Sequence, residues 1–168
     1  MFNQADIIDT IQTIPWFLEL SAASRARLAD IASLRRAEPG EILFEEGAKE
    51  DYLYVLLEGE VAVEILVPTC GNIRIFTAEP LDVIGWSAVT PLVRQRTASA
   101  RVLLPTRMLA FEAQPLRKLC DEDHDLGYIV MRRISNVAAS RLLTTRLQLS
   151  DMFVNPPVRN NLSHNQLE

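Results

Sequence analysis

Apolar positions recur at helical spacing over the first part of the chain. Ile7, Ile8 and Ile11 share one face, and Leu28, Ile31, Ala32 and Leu34 repeat the pattern, so residues 6–36 are predicted to be helical. Pro15 interrupts the run, and Ser21 or Ser24 is placed to cap a second helix. Glu38-Pro39-Gly40 then reads as a turn. From Glu41 the texture changes to short β-type runs: Ile42-Leu43-Phe44, then 52–57, 61–67, 73–76, 102–104 and 107–111. Gly47, Glu58-Gly59, Cys70-Gly71-Asn72, Pro80 and Pro105-Thr106 separate them as turns. Many short strands at this spacing point to a sandwich, barrel or roll.

Helical spacing returns after Pro115, which opens a short helix over 116–120. The acidic stretch Asp121-Glu122-Asp123-His124-Asp125 precedes a long helix over 126–152, where acid suits the positive end of the helix dipole. Val130, Ile134, Val137, Ala138 and Arg141 fall on one stripe, and Leu142 and Leu143 extend it. Residues 154–168 hold two prolines and four asparagines and are expected to be a flexible tail. That leaves one domain over residues 1–153, with too little chain after the long helix for a helix-turn-helix unit.

Composition narrows the function classes. A hydrophobic fraction of 48% in 168 residues supports a packed core. A net charge of -5 argues against broad nucleic-acid or anionic-membrane binding but leaves room for one local anion pocket. Cys70 and Cys120 are too few for a cysteine-ligated metal site within one chain and are expected to be free thiols. No basic, apolar leader and no apolar stretch of membrane-spanning length is visible, so a cytoplasmic protein is expected. His124 and His164 are the two histidines, and neither joins a catalytic constellation. An enzyme, a metal and a cofactor are therefore not expected.

Two motif strings carry more. The first is Pro39-Gly40-Glu41-Ile42-Leu43-Phe44-Glu45-Glu46-Gly47, continued by Leu53-Tyr54-Val55-Leu56-Leu57-Glu58-Gly59-Glu60-Val61. The second is Ile84-Gly85-Trp86-Ser87-Ala88-Val89, with Arg96-Thr97-Ala98 beyond it. Together they resemble the cyclic-nucleotide-binding domain of the catabolite-activator and FNR-type regulator superfamily, over residues 15–153. The resemblance implies an α+β fold: an antiparallel β-roll (a double-stranded β-helix, jelly-roll-like) with N-terminal helices and a long C-terminal helix. It also implies a phosphate-binding cassette at Gly85, Trp86, Ser87, Arg96 and Thr97, with Arg96 pairing the phosphate and the turn after Gly85 offering backbone N–H groups. The family's nucleotide binders place a glutamate after the cassette glycine to accept from the ribose 2′-hydroxyl. Trp86 stands there instead, and an indole is donor-only.

Two functions follow from the resemblance. One is a ligand-sensing regulatory module that takes cAMP, cGMP or another small phosphate-bearing ligand. The other is a scaffold or protein-interaction domain with its pocket plugged by Trp86. Either is expected as a form without the DNA-binding domain, with an unidentified protein partner and no direct DNA or membrane contact. A homodimer through the long helix, along Val130, Ile134 and Val137, is the expected assembly. Arg141, Thr144 and Thr145 are expected on the exposed face of that helix, and His124 in a solvated turn.

Overall fold

The computed structural model describes residues 4–49, 51–68, 70–90 and 95–154. Helix α1 (Gln4–Gln12) buries Ile7 and Ile11. Pro15 then opens a 3-10 turn, Pro15–Glu19, that buries Phe17. Helix α2 (Ala22–Asp30) starts where Ser21 accepts from the Ser24 N–H through its side chain at 3.0 Å. The helical reading of residues 6–36 fails at its end. Residues Ala32–Ala37 form strand β1, antiparallel to the last strand, with Ala32 opposite Phe111 and Ala37 opposite Thr106. The partner that decides this lies far along the chain, so local periodicity could not see it.

The remaining strands are β2 (Ile42–Phe44), β3 (Tyr52–Val67), β4 (Gly71–Ala78), β5 (Val83–Ile84) and β6 (Ser99–Glu112). The sheet runs β1-β6-β3-β4, with β2 on β6 and β5 on β3, and every pairing is antiparallel. Strands β3 and β6 form the spine. The turns expected at Glu58-Gly59 and Pro105-Thr106 are instead bulges inside these two long strands. Glu58 pairs Arg107 and Glu60 pairs Leu104, so Gly59 alone faces Pro105 and Thr106. Pro105 has no N–H for the ladder, and Gly59 takes φ 87. The strands bend there without ending, which is how a sheet curls into a roll.

Alternation on these strands feeds two cores. On β3, Leu53 and Val55 join the core under the helices, while Tyr54 and Leu56 join the core inside the roll. On β6, Leu109 and Phe111 face the first and Met108 and Ala110 the second. Period-two side chains thus bury both faces of the central pair.

Helix α3 (Ala113–Glu122) leads into α4 (His124–Val154), a helix of 31 residues. His124 is exposed at its start. Val130, Ile134 and Val137 are buried in the helical core of the same chain. The stripe expected to face a second copy is therefore already covered. Val154 ends α4, so the expected tail loses its first residue to the helix, and the rest of it lies outside the described residues. Neither cysteine is in a disulfide; burial, aided by Asp121 and Asp123, pushes the Cys120 thiol up to about 11.

Asp123 starts α4. Its carboxylate accepts from the Leu126 N–H at 3.1 Å and from the Ser24 hydroxyl at 2.8 Å, tying the helix start to α2. These bonds hold the carboxyl below its ordinary value. Asp123→Ala is expected to lower stability by about 1–2 kcal/mol at neutral pH. A depressed carboxyl contributes fully above its unfolded pKa of about 3.9 and loses that contribution as pH falls through the folded value. Urea melts of both proteins at neutral and strongly acidic pH check this: the gap between them must narrow in acid.

No helix among the described residues is long and apolar enough to cross a membrane.

Candidate functional site

Strand β5 pairs with β3, Ile84 opposite Tyr54 and Val83 opposite Val55, and so delivers Gly85 to the mouth of the roll. Gly85 sits at φ 72 and ψ 26, and a 3-10 turn, Trp86–Val89, follows it. The Ala88 N–H donates to the Gly85 carbonyl at 3.0 Å and closes the turn. The chain returns at Arg96, whose backbone is fixed on both sides. Its N–H donates to the Ala48 carbonyl at 2.9 Å, and its carbonyl accepts from the Gly47 N–H at 2.9 Å.

The Arg96 side chain runs under the turn. Its Nη1 donates to the Gly85 carbonyl at 3.1 Å and its Nη2 to the Tyr52 carbonyl at 2.6 Å. The guanidinium carbon lies 4.3 Å from the centre of the Phe44 ring, and the residue is only 3% exposed. A Cβ on Gly85 would stand 2.5 Å from Arg96 Nη1 and 2.8 Å from the Tyr52 carbonyl. Glycine is thus required there for room as well as for its left-handed φ. The eleven-residue spacing from Gly85 to Arg96 has a local meaning: the arginine clasps the turn that the glycine opens.

Beside this clasp lies a cavity of about 350 Å³. Gly85, Trp86, Ser87, Arg96 and Thr97 all line it, so the structure brings together every residue singled out for the cassette. Their exposures differ. Ser87 and Arg96 are buried, Gly85 and Trp86 are half-buried and Thr97 is exposed. Trp86 leans on the helical core yet forms a wall of the cavity, so the indole does not fill the space. Residues 91–94, which join the turn to Arg96, lie outside the described residues.

The opposite wall is α4, through Ala138, Arg141, Leu142 and Thr145. The exposed position expected for Arg141 is wrong. Its side chain is 20% exposed, lies over the Phe76 ring and stands 3.8 Å from Asp82. Burial lowers its pKa; Asp82 opposes that shift and Arg133 adds to it. The signal was present in the sequence, because Arg141 continues the stripe of Ile134 and Val137, and an arginine in an apolar stripe needs a polar destination. The wall residues Phe44, Val63 and Ile75 were not anticipated.

The cavity lining thus holds two arginines and no aspartate or glutamate among the described residues. That contrasts with a net charge of -5 for the chain. Helix α4 is also tied to the turn that leads into β5. Arg133 donates to the Leu81 carbonyl at 2.9 Å, Arg141 reaches Asp82, and Gln148 donates to the Ile75 carbonyl at 3.2 Å.

Known proteins share this fold. A Rhodopseudomonas palustris protein named as a candidate potassium channel is 26% identical over 144 residues, covering 84% of this chain and 33% of its own length. The chain therefore spans about a third of that relative. A crystal structure of a cyclic nucleotide-binding protein from Geobacter metallireducens superposes with a TM-score of 0.69 at 22% identity, covering 84% of this chain and 99% of that one. A mutant regulatory subunit of a cAMP-independent protein kinase A from Trypanosoma brucei, bound to cAMP, superposes with a TM-score of 0.70 at 18% identity, over 89% of this chain and 51% of that one. The model of the cyclic nucleotide-binding domain matches residues 34–123, from β1 through α3 and across the whole clasp. With more than half of its residues inside that match, this chain belongs to the cyclic nucleotide-binding domain family.

Proposed function

We propose that the chain is a ligand-sensing regulatory module, working by binding and not by catalysis in the cytoplasm. Its ligand is cAMP, cGMP or another small phosphate-bearing molecule, held in the cavity between the Gly85 turn and α4. One observation carries the reading: among the described residues, the cavity lining of an acidic chain concentrates Arg96 and Arg141 and no carboxylate. Charge-assisted bonds to such a pair favour an anion. The ligand reaches the β-roll and α4 at once, and α4 hangs on the 79–82 turn, so binding repositions the helix.

The plugged-scaffold reading has one observation in its favour. Arg96 already donates to two backbone carbonyls and is nearly fully buried. Calorimetric titration with cAMP and cGMP separates the two. Saturable micromolar binding supports the sensor. No heat at millimolar ligand, with binding restored in Trp86→Glu, supports the plug.

A homodimer remains the proposed assembly, through a different stretch of α4 from the one first expected. Leu142, Leu143, Leu147, Leu149, Met152 and Phe153 are all exposed there. Light scattering is expected to give a dimer that Leu149→Asp with Phe153→Asp converts to a monomer; a monomeric wild type at high concentration would refute it.

A further inference from the structure

We propose that the cavity takes a small organic acid, a carboxylate or phosphate monoester on an aromatic or branched apolar body, in preference to a ribonucleotide. This deepens the ligand-site reading and rests on it.

The walls divide by chemistry. Phe44, Val63, Ile75, Ile84, Ala138 and Leu142 supply an apolar surface. The charged groups on the lining are Arg96 and Arg141, which come from the β-roll side and from α4. An acid held by Arg141 would also lie in the field of Arg96, whose Nη1 and Nη2 stay on the Gly85 and Tyr52 carbonyls, and a phosphate monoester dianion matches two guanidinium charges better than a phosphodiester monoanion does. Asp82 is the present partner of Arg141, at 3.8 Å, a separation that leaves the guanidinium able to turn toward an entering anion.

A nucleotide brings a different requirement. Its ribose hydroxyls and base amines are donors and need acceptors once water is excluded. Among the described lining side chains there is no carboxylate, amide or imidazole, only the hydroxyls of Ser87, Thr97 and Thr145. Trp86 adds an N–H donor and a large flat face. The Gly85 carbonyl already accepts from Arg96 and from the Ala88 N–H. The volume, about 350 Å³, lies in the range of small-ligand sites, roughly 300–1,000 Å³.

The test titrates the full chain by calorimetry with 1-naphthyl phosphate, neutral 1-naphthol and cAMP. One saturable site for 1-naphthyl phosphate is expected, at least about tenfold tighter than either of the others. Arg141→Gln is expected to weaken that ligand by about tenfold or more while the circular dichroism spectrum and melting temperature hold. Intermolecular NOEs from naphthyl protons to the Trp86 ring of the unaltered protein place the ligand without relying on any variant. Binding of cAMP as tight as or tighter than 1-naphthyl phosphate overturns the inference and leaves the ligand site standing. Naphthyl phosphate binding with no NOE to Trp86 overturns the inference too, because it puts that ligand outside the cavity. No binding by any of the three at millimolar concentration overturns the ligand site as well.

Discussion

Replacing Arg96 with alanine is expected to abolish ligand binding and to lower stability by about 3 kcal/mol. The Tyr52 carbonyl loses the donor that now sits at 2.6 Å, and the Gly85 carbonyl, which keeps the Ala88 N–H, loses a second donor at 3.1 Å. A buried acceptor left without its donor costs about 1–3 kcal/mol. The cation over Phe44 and the volume of the side chain are lost too. Lysine is expected to rescue little, because one ammonium cannot reproduce a planar fork that spans two carbonyls. Urea unfolding midpoints give the stability change. Arg141→Ala supplies the contrast: that side chain is 20% exposed, lies over Phe76 and stands 3.8 Å from Asp82, so its loss should weaken ligand binding and cost less stability than the loss of Arg96. An Arg96→Ala protein as stable as wild type would mean that the clasp does not hold the turn.

The second large effect is at the centre of the sheet. Gly59→Ala is expected to destabilise the fold by more than about 3 kcal/mol, enough to leave much of the chain unfolded at 37 °C. Its Cβ would overlap the Pro105 carbonyl and the Thr106 hydroxyl and stand 2.7 Å from Thr106 Cα. These are largely backbone atoms of β6 and cannot swing aside. Gly47 separates crowding from backbone conformation. It has φ 78, close to the φ 87 of Gly59, but nothing lies within 4 Å of its Cβ position. Gly47→Ala should therefore cost only the left-handed penalty, about 1–2 kcal/mol. Equal melting temperatures for the two variants would refute close strand packing at the bulge.

The same bulge explains what could and could not be read from the sequence. Gly59 and Pro105 carry strong turn signals, and in a sequence they break β3 and β6 into four short strands. In space they face each other across one ladder, so two turn signals cancel into a single bend. Ala32–Ala37 was misread for a related reason, since its strand character comes from pairing with residues 106–111. The grouping of Gly85 with Arg96 was legible from their spacing, but the bonds by which the arginine clasps the turn were not, since they run to the Gly85 and Tyr52 carbonyls and not to the expected phosphate. Arg141 was half legible. Its place on the apolar stripe was visible, but Asp82 and Phe76, which receive it, lie about sixty residues earlier. The stripe Val130, Ile134 and Val137 was read correctly as apolar and assigned to the wrong partner. Periodicity tells which face is buried and not what buries it.

The measurement that tests the account most directly uses the two tryptophans. Trp86 lines the cavity, while Trp16 does not and packs beside Phe17 and under Arg133. In a ¹⁵N-labelled sample each gives one indole N–H signal. Titration with a small phosphate-bearing ligand is predicted to move the Trp86 signal saturably and further than the Trp16 signal, and Arg141→Ala should suppress the shift. A Trp86 signal that stays fixed at millimolar cAMP, cGMP and 1-naphthyl phosphate would contradict the reading of this cavity as a ligand site.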